Sequence, residues 1–311
     1  MGKKHKNLIH KIYDMDNMWE AYRKASLGKR NSYGYLKFRE NDAAYLVELS
    51  EQIKNGTYEQ MPAKRFTIYE PKKREITAVP FVDRVAQHAL VNIIGPVFDG
   101  MFLPYSFACR DGKGTHAAAK RAQSLLRKHA WYLKIDFKAF FPSVDRSILF
   151  REIKKKISCP RTLGFISKIH QTTGIGIPIG SLTSQLFANL YGHIFDRFLS
   201  HTLGISQWVR YMDDTLVFGE SKKALKWVFE VSRQFALDVM GLKVSRWSIC
   251  PSALGVGFLG YRIKSDKKTI KRASFLRAKR KLKTLAGVDR QRFIAAWGGH
   301  VKFADSVVSF I

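Results

Sequence analysis

The stretch from Trp208 to Phe218 sets two apolar, strand-like runs, Trp208–Met212 and Thr215–Phe218, on either side of the adjacent carboxylates Asp213 and Asp214. Runs of this length and composition, interrupted only by a polar pair, predict a β-hairpin with the two acids at its bend. Like charges held so close repel, so two carboxylates between apolar strands need something to neutralise them. A polar surface turn is the plain alternative, and a Tyr-x-Asp-Asp match alone is a weak motif. A second run changes the balance. Trp131 to Ile135 reads as a short buried strand that delivers Asp136 at its end. Three carboxylates gathered from such strands offer hard oxygen ligands of the kind Mg²⁺ prefers, and two such ions suit in-line phosphoryl transfer.

Charge points the same way. The 311 residues hold 54 Lys and Arg against 25 Asp and Glu, a net charge of +29. A globular chain that repels itself this strongly calls for a polyanionic partner, and nucleic acid is the default. With 46% apolar residues, wholesale disorder is excluded. The most apolar stretch, Ala89 to Phe98, is broken by Asn92, Gly95 and Pro96, so no membrane span is expected. The basic start, Met1 to Lys6, has no apolar run behind it, so no signal peptide is expected and the compartment reads as cytoplasmic. Three scattered cysteines and nine histidines without ligand spacing argue against a disulfide framework and a zinc site. Strand-borne carboxylates in so basic a chain read as the palm of a nucleotidyl transferase.

Residues 3–30 read as a basic helical arm, with Ile9, Ile12, Tyr13, Met18 and Tyr22 on one face. A second amphipathic helix is expected from Asp42, with Leu46, Leu49 and Ile53 inward and Gly56 as its stop. Alternation from Arg65 to Pro80 around Pro71-Lys72-Lys73 predicts a hairpin with a cationic tip. Helices are expected from Asp83 to Ile94, ended by Gly95-Pro96, and from Thr115 to His129. Residues 146–172 read as helical, 174–180 as a Gly/Pro-punctuated loop, and Ser181 to Leu199 as a long helix. A helix over 221–240, two short strands around Lys243–Ile249 and Gly257–Ile263, and a basic helical end from Lys267 to Phe310 complete the reading. No repeat or low-complexity linker divides the chain, which predicts one interlocked assembly.

In order, the chain carries Asp136-Phe137-Lys138-Ala139-Phe140-Phe141, then Gly176 to Gln185 (GIPIGSLTSQ), Tyr211-Met212-Asp213-Asp214, and Phe258-Leu259-Gly260-Tyr261. This succession resembles the motifs of a reverse transcriptase. Upstream, Lys72-Lys73-Arg74 leading to Val79–Gln87, and Ser106 to His116, are similar to blocks of prokaryotic members. The resemblance spans roughly residues 60–265. Ile179-Gly180-Ser181, where intron and retroviral enzymes usually carry Gln-Gly, resembles the reverse transcriptases of diversity-generating retroelements. The start of the chain and Trp297-Gly298-Gly299-His300 are similar to a phage-encoded member of that class. The implied fold is an α+β right-hand polymerase with an antiparallel palm sheet packed on helices. It is parsed as N-terminal arm and fingers (1–80), palm (81–145), fingers return (146–178), palm (179–264) and thumb (265–311). The implied activity is error-prone cDNA synthesis that misreads template adenines and so diversifies a target gene.

The resemblance also implies roles. Asp136, Asp213 and Asp214 would hold two Mg²⁺ ions, for which Mn²⁺ can substitute, with the Phe137 carbonyl as a further ligand. Phe141 falls at the position of an aromatic gate against a 2′-hydroxyl, an ordinary core Phe being the alternative. Tyr211 and Met212 would lie beside the primer end. Lys72 and Arg74 suit triphosphate binding, Arg by its bidentate grip; a solvated turn is the other reading. Ile179 and Gly180 would border the incoming nucleotide, and Gln185 would approach the template. An Ile offers only apolar contact where a Gln can hydrogen-bond, so discrimination between right and wrong pairs weakens. Arg110 and Lys113 are candidates for template backbone contact, or plain surface charge. Arg277, Lys279, Arg280, Lys281 and Lys283 suit a thumb helix along a template–cDNA duplex, binding phosphates without reading sequence. Ser248 stands where relatives often have a Lys. Template RNA, cDNA, dNTPs and a small basic accessory variability protein are the implied partners. The rivals are a group II intron-like or antiphage-defence reverse transcriptase, and a catalytically silent RNA-binding palm protein.

Overall fold

A computed structural model describes residues 4–69 and 72–305. Met1 to Lys3 of the basic start, Pro71 of the hairpin tip and residues 306–311 of the expected thumb lie outside the described residues. The arm is two helices rather than one, α1 (Ile9–Tyr13) and α2 (Met15–Ser26). Asp14 divides them, because its carboxylate accepts from the Asp16 N–H at 3.1 Å and starts α2 afresh. Helix α3 (Tyr33–Arg39) was not expected; Ser32 caps it, and Tyr35 and Phe38 bury against Tyr22 and Phe81. Helix α4 (Asp42–Asn55) ends at Gly56, whose φ of +74° is the left-handed cap a Gly allows. The hairpin of β1 (Lys64–Ile68) and β2 (Arg74–Ala78) follows, paired from Lys64 with Ala78 to Ile68 with Arg74.

Helix α5 (Phe81–Asp99) runs straight through the expected stop at Gly95-Pro96. Ile94 and Phe98 lie one turn apart and are wholly buried. Burying two such side chains, at about 1.5–3 kcal/mol each, outweighs a mid-helix Pro, which costs about 3 kcal/mol. Next come α6 (Thr115–Lys128), β3 (Trp131–Phe137) and the short α7 (Phe140–Ser143). The helical stretch expected over 146–172 is split into α8 (Arg146–Lys156) and α9 (Pro160–Ile169). Asp145 caps the first through the Ser147 and Ile148 N–H groups, and Pro160 opens the second, where its missing N–H costs nothing. Helix α10 (Leu182–Arg197) passes into a wider π-helical turn over Phe198–Thr202.

The expected hairpin is β4 (Trp208–Tyr211) and β5 (Asp214–Gly219), followed by α11 (Lys222–Met240) and β6 (Val244–Pro251). The single strand expected over Gly257–Ile263 is itself a hairpin, β7 (Val256–Phe258) and β8 (Tyr261–Ile263), turned at Leu259-Gly260. Leu259 and Gly260 both have positive φ, +50° and +89°. The end does not begin as a helix, because β9 (Lys268–Ile270) pairs with β8 before α12 (Arg272–Thr284) and α13 (Gly287–Lys302).

The chain forms two compact units, each assembled from three separate stretches. One holds the described residues up to Leu103 with Lys138–Phe198 and Ala236–Lys243; the other holds Pro104–Phe137, Leu199–Phe235 and the described residues from Val244. The first is mainly helical. Leu90, Ile94 and Phe98 of α5 and Phe187, Leu190, Tyr191 and Phe195 of α10 are buried in it. The second is built on an antiparallel sheet in the order β4-β5-β3-β6, with a three-stranded sheet β7-β8-β9. Ala118, Ala119, Ala122 and Leu126 of α6 share one core with Val209, Leu216 and Phe218 and with Val256, Phe258 and Tyr261.

Candidate active site

The acids sit on adjoining strands. β3 is central in the four-stranded sheet, and Asp136 is the register partner of Asp214 on β5. Residues directly opposite in an antiparallel pair share a face, with Cβ atoms about 4.5–5.5 Å apart. Asp213 occupies the turn between β4 and β5, next to Met212, whose φ of +55° is rare for a side-chain-bearing residue. Something must hold that turn. Arg210, 1% exposed, donates from Nη1 to the Met212 carbonyl at 3.0 Å and from Nη2 to Ser106 Oγ at 3.0 Å. Tyr211 meets Thr115 Oγ1 through its hydroxyl at 3.3 Å.

Asp214 is the most constrained of the three. Its side chain is 24% exposed, and Lys134 Nζ donates to Oδ2 at 2.9 Å. The same ammonium donates to the Gly257 carbonyl at 2.9 Å. Burial raises the Asp214 carboxyl above its usual range, the Lys134 charge opposes that, and the negative charges of Asp213 and Asp136 add to it. Oδ1 of Asp214 is buried with no hydrogen-bond partner. Among the described residues, no three Asp, Glu, His or Cys side chains close into a ready-made metal cage. The fit to a hard cation rests on the donors: carboxylate oxygens on neighbouring strands, one of them buried and unsatisfied. The Asp136 backbone carbonyl accepts from Ser245 Oγ at 3.0 Å. The β3–β6 register slips between Asp136 and Phe137, so Phe137 sits at a bulge with its ring buried.

The helical unit carries the other candidates. The Ile179 carbonyl accepts from the Thr77 N–H of β2 at 2.8 Å. Gly180, at φ +110°, lies against the same strand: a Cβ there would come 2.8 Å from the Thr77 carbonyl oxygen. Behind them runs a buried chain of hydrogen bonds, Gln87–Ser181–Thr183–His170, with separations of 2.8, 2.8 and 2.6 Å. Phe141 is half-buried, edge-on to Phe140, and its carbonyl accepts from the Ile177 N–H at 3.0 Å. Gln185 is exposed on the first turns of α10, and Lys72 and Arg74 are exposed at the hairpin end.

The basic candidates of the sheet unit differ among themselves. Arg110 donates to the Ser106 carbonyl at 3.0 Å, and Lys113 donates to the Pro104 carbonyl, so both brace the loop that leads into α6. Arg277 is half-buried and bonds Ser274 Oγ at 3.4 Å, whereas Lys279, Arg280, Lys281 and Lys283 are exposed on α12. Two residues of this site were not marked by sequence reasoning, Lys134 and Arg210. Lys134 stands two positions before Asp136, hence on the same face of β3, which is the signal that was available.

Comparison with known proteins agrees with the geometry. The family described as Reverse transcriptase (RNA-dependent DNA polymerase) matches residues 63–263. Protein YkfC of Escherichia coli is 25% identical over 262 residues, which are 73% of this chain and 68% of that protein. The group II intron-encoded protein LtrA of Lactococcus lactis is 26% identical over 167 residues, 50% of this chain and 28% of LtrA. The chain thus spans less than a third of the length of that relative. Among solved structures, apo telomerase from Candida tropicalis superposes with a TM-score of 0.55 at 15% identity, over 70% of this chain and 50% of that one, a likeness of fold alone. With its strand-borne carboxylates on an α+β right-hand polymerase fold, the chain belongs to the reverse transcriptase family of RNA-dependent DNA polymerases.

Proposed function

We propose that this protein is the reverse transcriptase of a diversity-generating retroelement, copying a template RNA into cDNA with frequent errors opposite adenine. Asp136, Asp213 and Asp214 would act as ligands for two Mg²⁺ or Mn²⁺ ions, joined by the Phe137 carbonyl. Bound there, the metals supply a lowered pKa at the primer hydroxyl and charge neutralisation at the departing pyrophosphate. The remaining work falls to the chain itself. Lys72 and Arg74 bind the triphosphate of the dNTP, Phe141 excludes a 2′-hydroxyl, and Tyr211 and Met212 steady the primer end. Ile179 and Gly180 border the nucleotide, Gln185 meets the template, and the cations of α12, with Arg110 and Lys113, bind phosphates of template and cDNA. The fingers, palm and thumb follow the boundaries read from the sequence. A small basic accessory protein completes the assembly in the cytoplasm. No helix among the described residues is long and apolar enough to cross a membrane.

The observation that carries the finer reading is Ile179, an apolar side chain where intron and retroviral enzymes usually present a Gln amide. One hydrogen bond is worth about 0.5–1.5 kcal/mol, so its absence gives a several-fold loss of discrimination. The intron-like alternative draws on the similarity to LtrA. Sequencing cDNA made on the native template RNA, with and without the accessory protein, separates the two. Errors concentrated at template adenines, and reduced several-fold by Ile179→Gln, support the retroelement reading. A flat error spectrum that Ile179→Gln leaves unchanged removes it.

A further inference from the structure

We propose that Lys134 is a positioning residue that presents Asp214 to a divalent cation through one oxygen only. The inference rests on the metal-binding reading of the three carboxylates and adds a residue to it. Lys134 leaves β3 on the same face as Asp136, and its side chain is 26% exposed. An ammonium has three donors. One goes to Asp214 Oδ2 at 2.9 Å and another to the Gly257 carbonyl at 2.9 Å. The second bond matters because it ties the ammonium to β7 as well as to Asp214. Asp214 is then gripped by a group that is itself gripped, and cannot pull the lysine into solvent.

The two oxygens of Asp214 differ as a result. Oδ2 is committed, whereas Oδ1 is buried with no hydrogen-bond partner. Leaving a carboxylate oxygen buried and unsatisfied is costly, and beside two further carboxylates a cation is the partner that completes it. A carboxylate free to rotate can chelate a single ion with both oxygens. One tethered at Oδ2 gives a single-oxygen contact in a fixed direction, which suits an ion that tolerates little departure from octahedral geometry. Partners of this kind, one step behind the ligands, typically change metal affinity or activity by about 10–100-fold when removed.

Neither neighbouring strand sets a charge opposite that lysine. Its register partners are Leu216 on β5 and Ser248 on β6. Ser248 is small and uncharged. A lysine there would face Lys134 directly, and like charges opposite one another across two strands are destabilising. The small, neutral Ser248 is therefore part of the same arrangement.

Mn²⁺ alone, titrated into the full-length protein and followed by the spin-resonance signal of the free ion, reads the site without catalysis. Lys134→Met and the milder Lys134→Gln are both made, and whichever keeps a cooperative thermal transition is read against wild type. The expected result is Mn²⁺ binding weakened about ten-fold. The kcat for cDNA synthesis falls by a similar factor while KM for dNTP stays within about three-fold, and Lys134→Arg recovers most of the loss. Wild-type Mn²⁺ affinity and kcat in the neutral variants would overturn the role of Lys134. Asp214→Asn is the control for the reading beneath: it should abolish tight Mn²⁺ binding. Unchanged binding there would remove the metal site itself rather than its positioning.

Discussion

Asp213 and Asp214 are neighbours in the chain with different surroundings. Asp213 sits in a turn that Arg210 holds through the Met212 carbonyl, while Asp214 opens β5 and is tied to Lys134. Gly180 shows a similar dependence on one atom. Its φ of +110° and the Thr77 carbonyl, 2.8 Å from where a Cβ would stand, both exclude a side chain. Gly180→Ala should therefore lower stability by about 1–3 kcal/mol, since strain at such φ values costs that much and the loop must also move off β2. Chemical denaturation checks it, and a denaturation midpoint equal to wild type would show that the loop gives way freely. At this scale the three acids were legible, because carboxylates amid apolar runs stand out. Lys134 and Arg210 were not. A cation inside a strand reads as a surface residue until its acceptors, contributed by other elements, are in place.

Among the elements, α9 and α10 are joined through a buried imidazole. His170, at the end of α9, is bonded to Thr183 Oγ1 at 2.6 Å and set edge-on to Phe187. Burial, with a smaller contribution from the Arg146 charge, pushes its imidazole from 6.5 down to about 4. The folded state thus holds a neutral ring that the unfolded state protonates first. The stability this gives is fully present above pH 6.5 and is lost as pH falls towards 4, on the order of 3 kcal/mol in all. Denaturant midpoints measured across that range should fall in the wild type and fall less steeply in His170→Gln, the remainder belonging to His88, which burial also pushes down to about 4. Identical pH profiles would place the titrating group elsewhere. Helix α4, α6 and the β1–β2 hairpin were readable because their periodicity is local, as is the Gly56 stop of α4. The run of α5 through Pro96 and the existence of α3 and β9 were not. Each is decided by packing or pairing that no local pattern announces: the burial of Phe98, the aromatic packing of Phe38 on Phe81, and the pairing of Thr269 with Arg262.

For the whole molecule, a net charge of +29 exceeds what one catalytic site needs, and α12 shows where part of the excess is placed. Lys279, Arg280, Lys281 and Lys283 are exposed on it in succession. Reversing Lys279 and Lys283 to Glu should weaken binding of duplexes of any sequence. It should also lower the slope of log affinity against log salt by about 1–2, as each lost phosphate contact removes close to one released counterion. An unchanged slope in filter-binding or anisotropy titrations would exclude α12 from the duplex interface. Fold class was readable at this scale because the ordered motifs span the same region as the family match over residues 63–263. The division into two units, each drawn from three stretches, was not, since no linker or composition shift marks the crossings. The most direct test of the account is primer extension on a synthetic RNA template with dNTPs and Mg²⁺, comparing wild type with Asp136→Asn and Asp214→Asn. Wild type should yield full-length cDNA and each variant should lose about a thousand-fold, since metal ligation would supply several kcal/mol of transition-state stabilisation. Equal extension by all three proteins would contradict it.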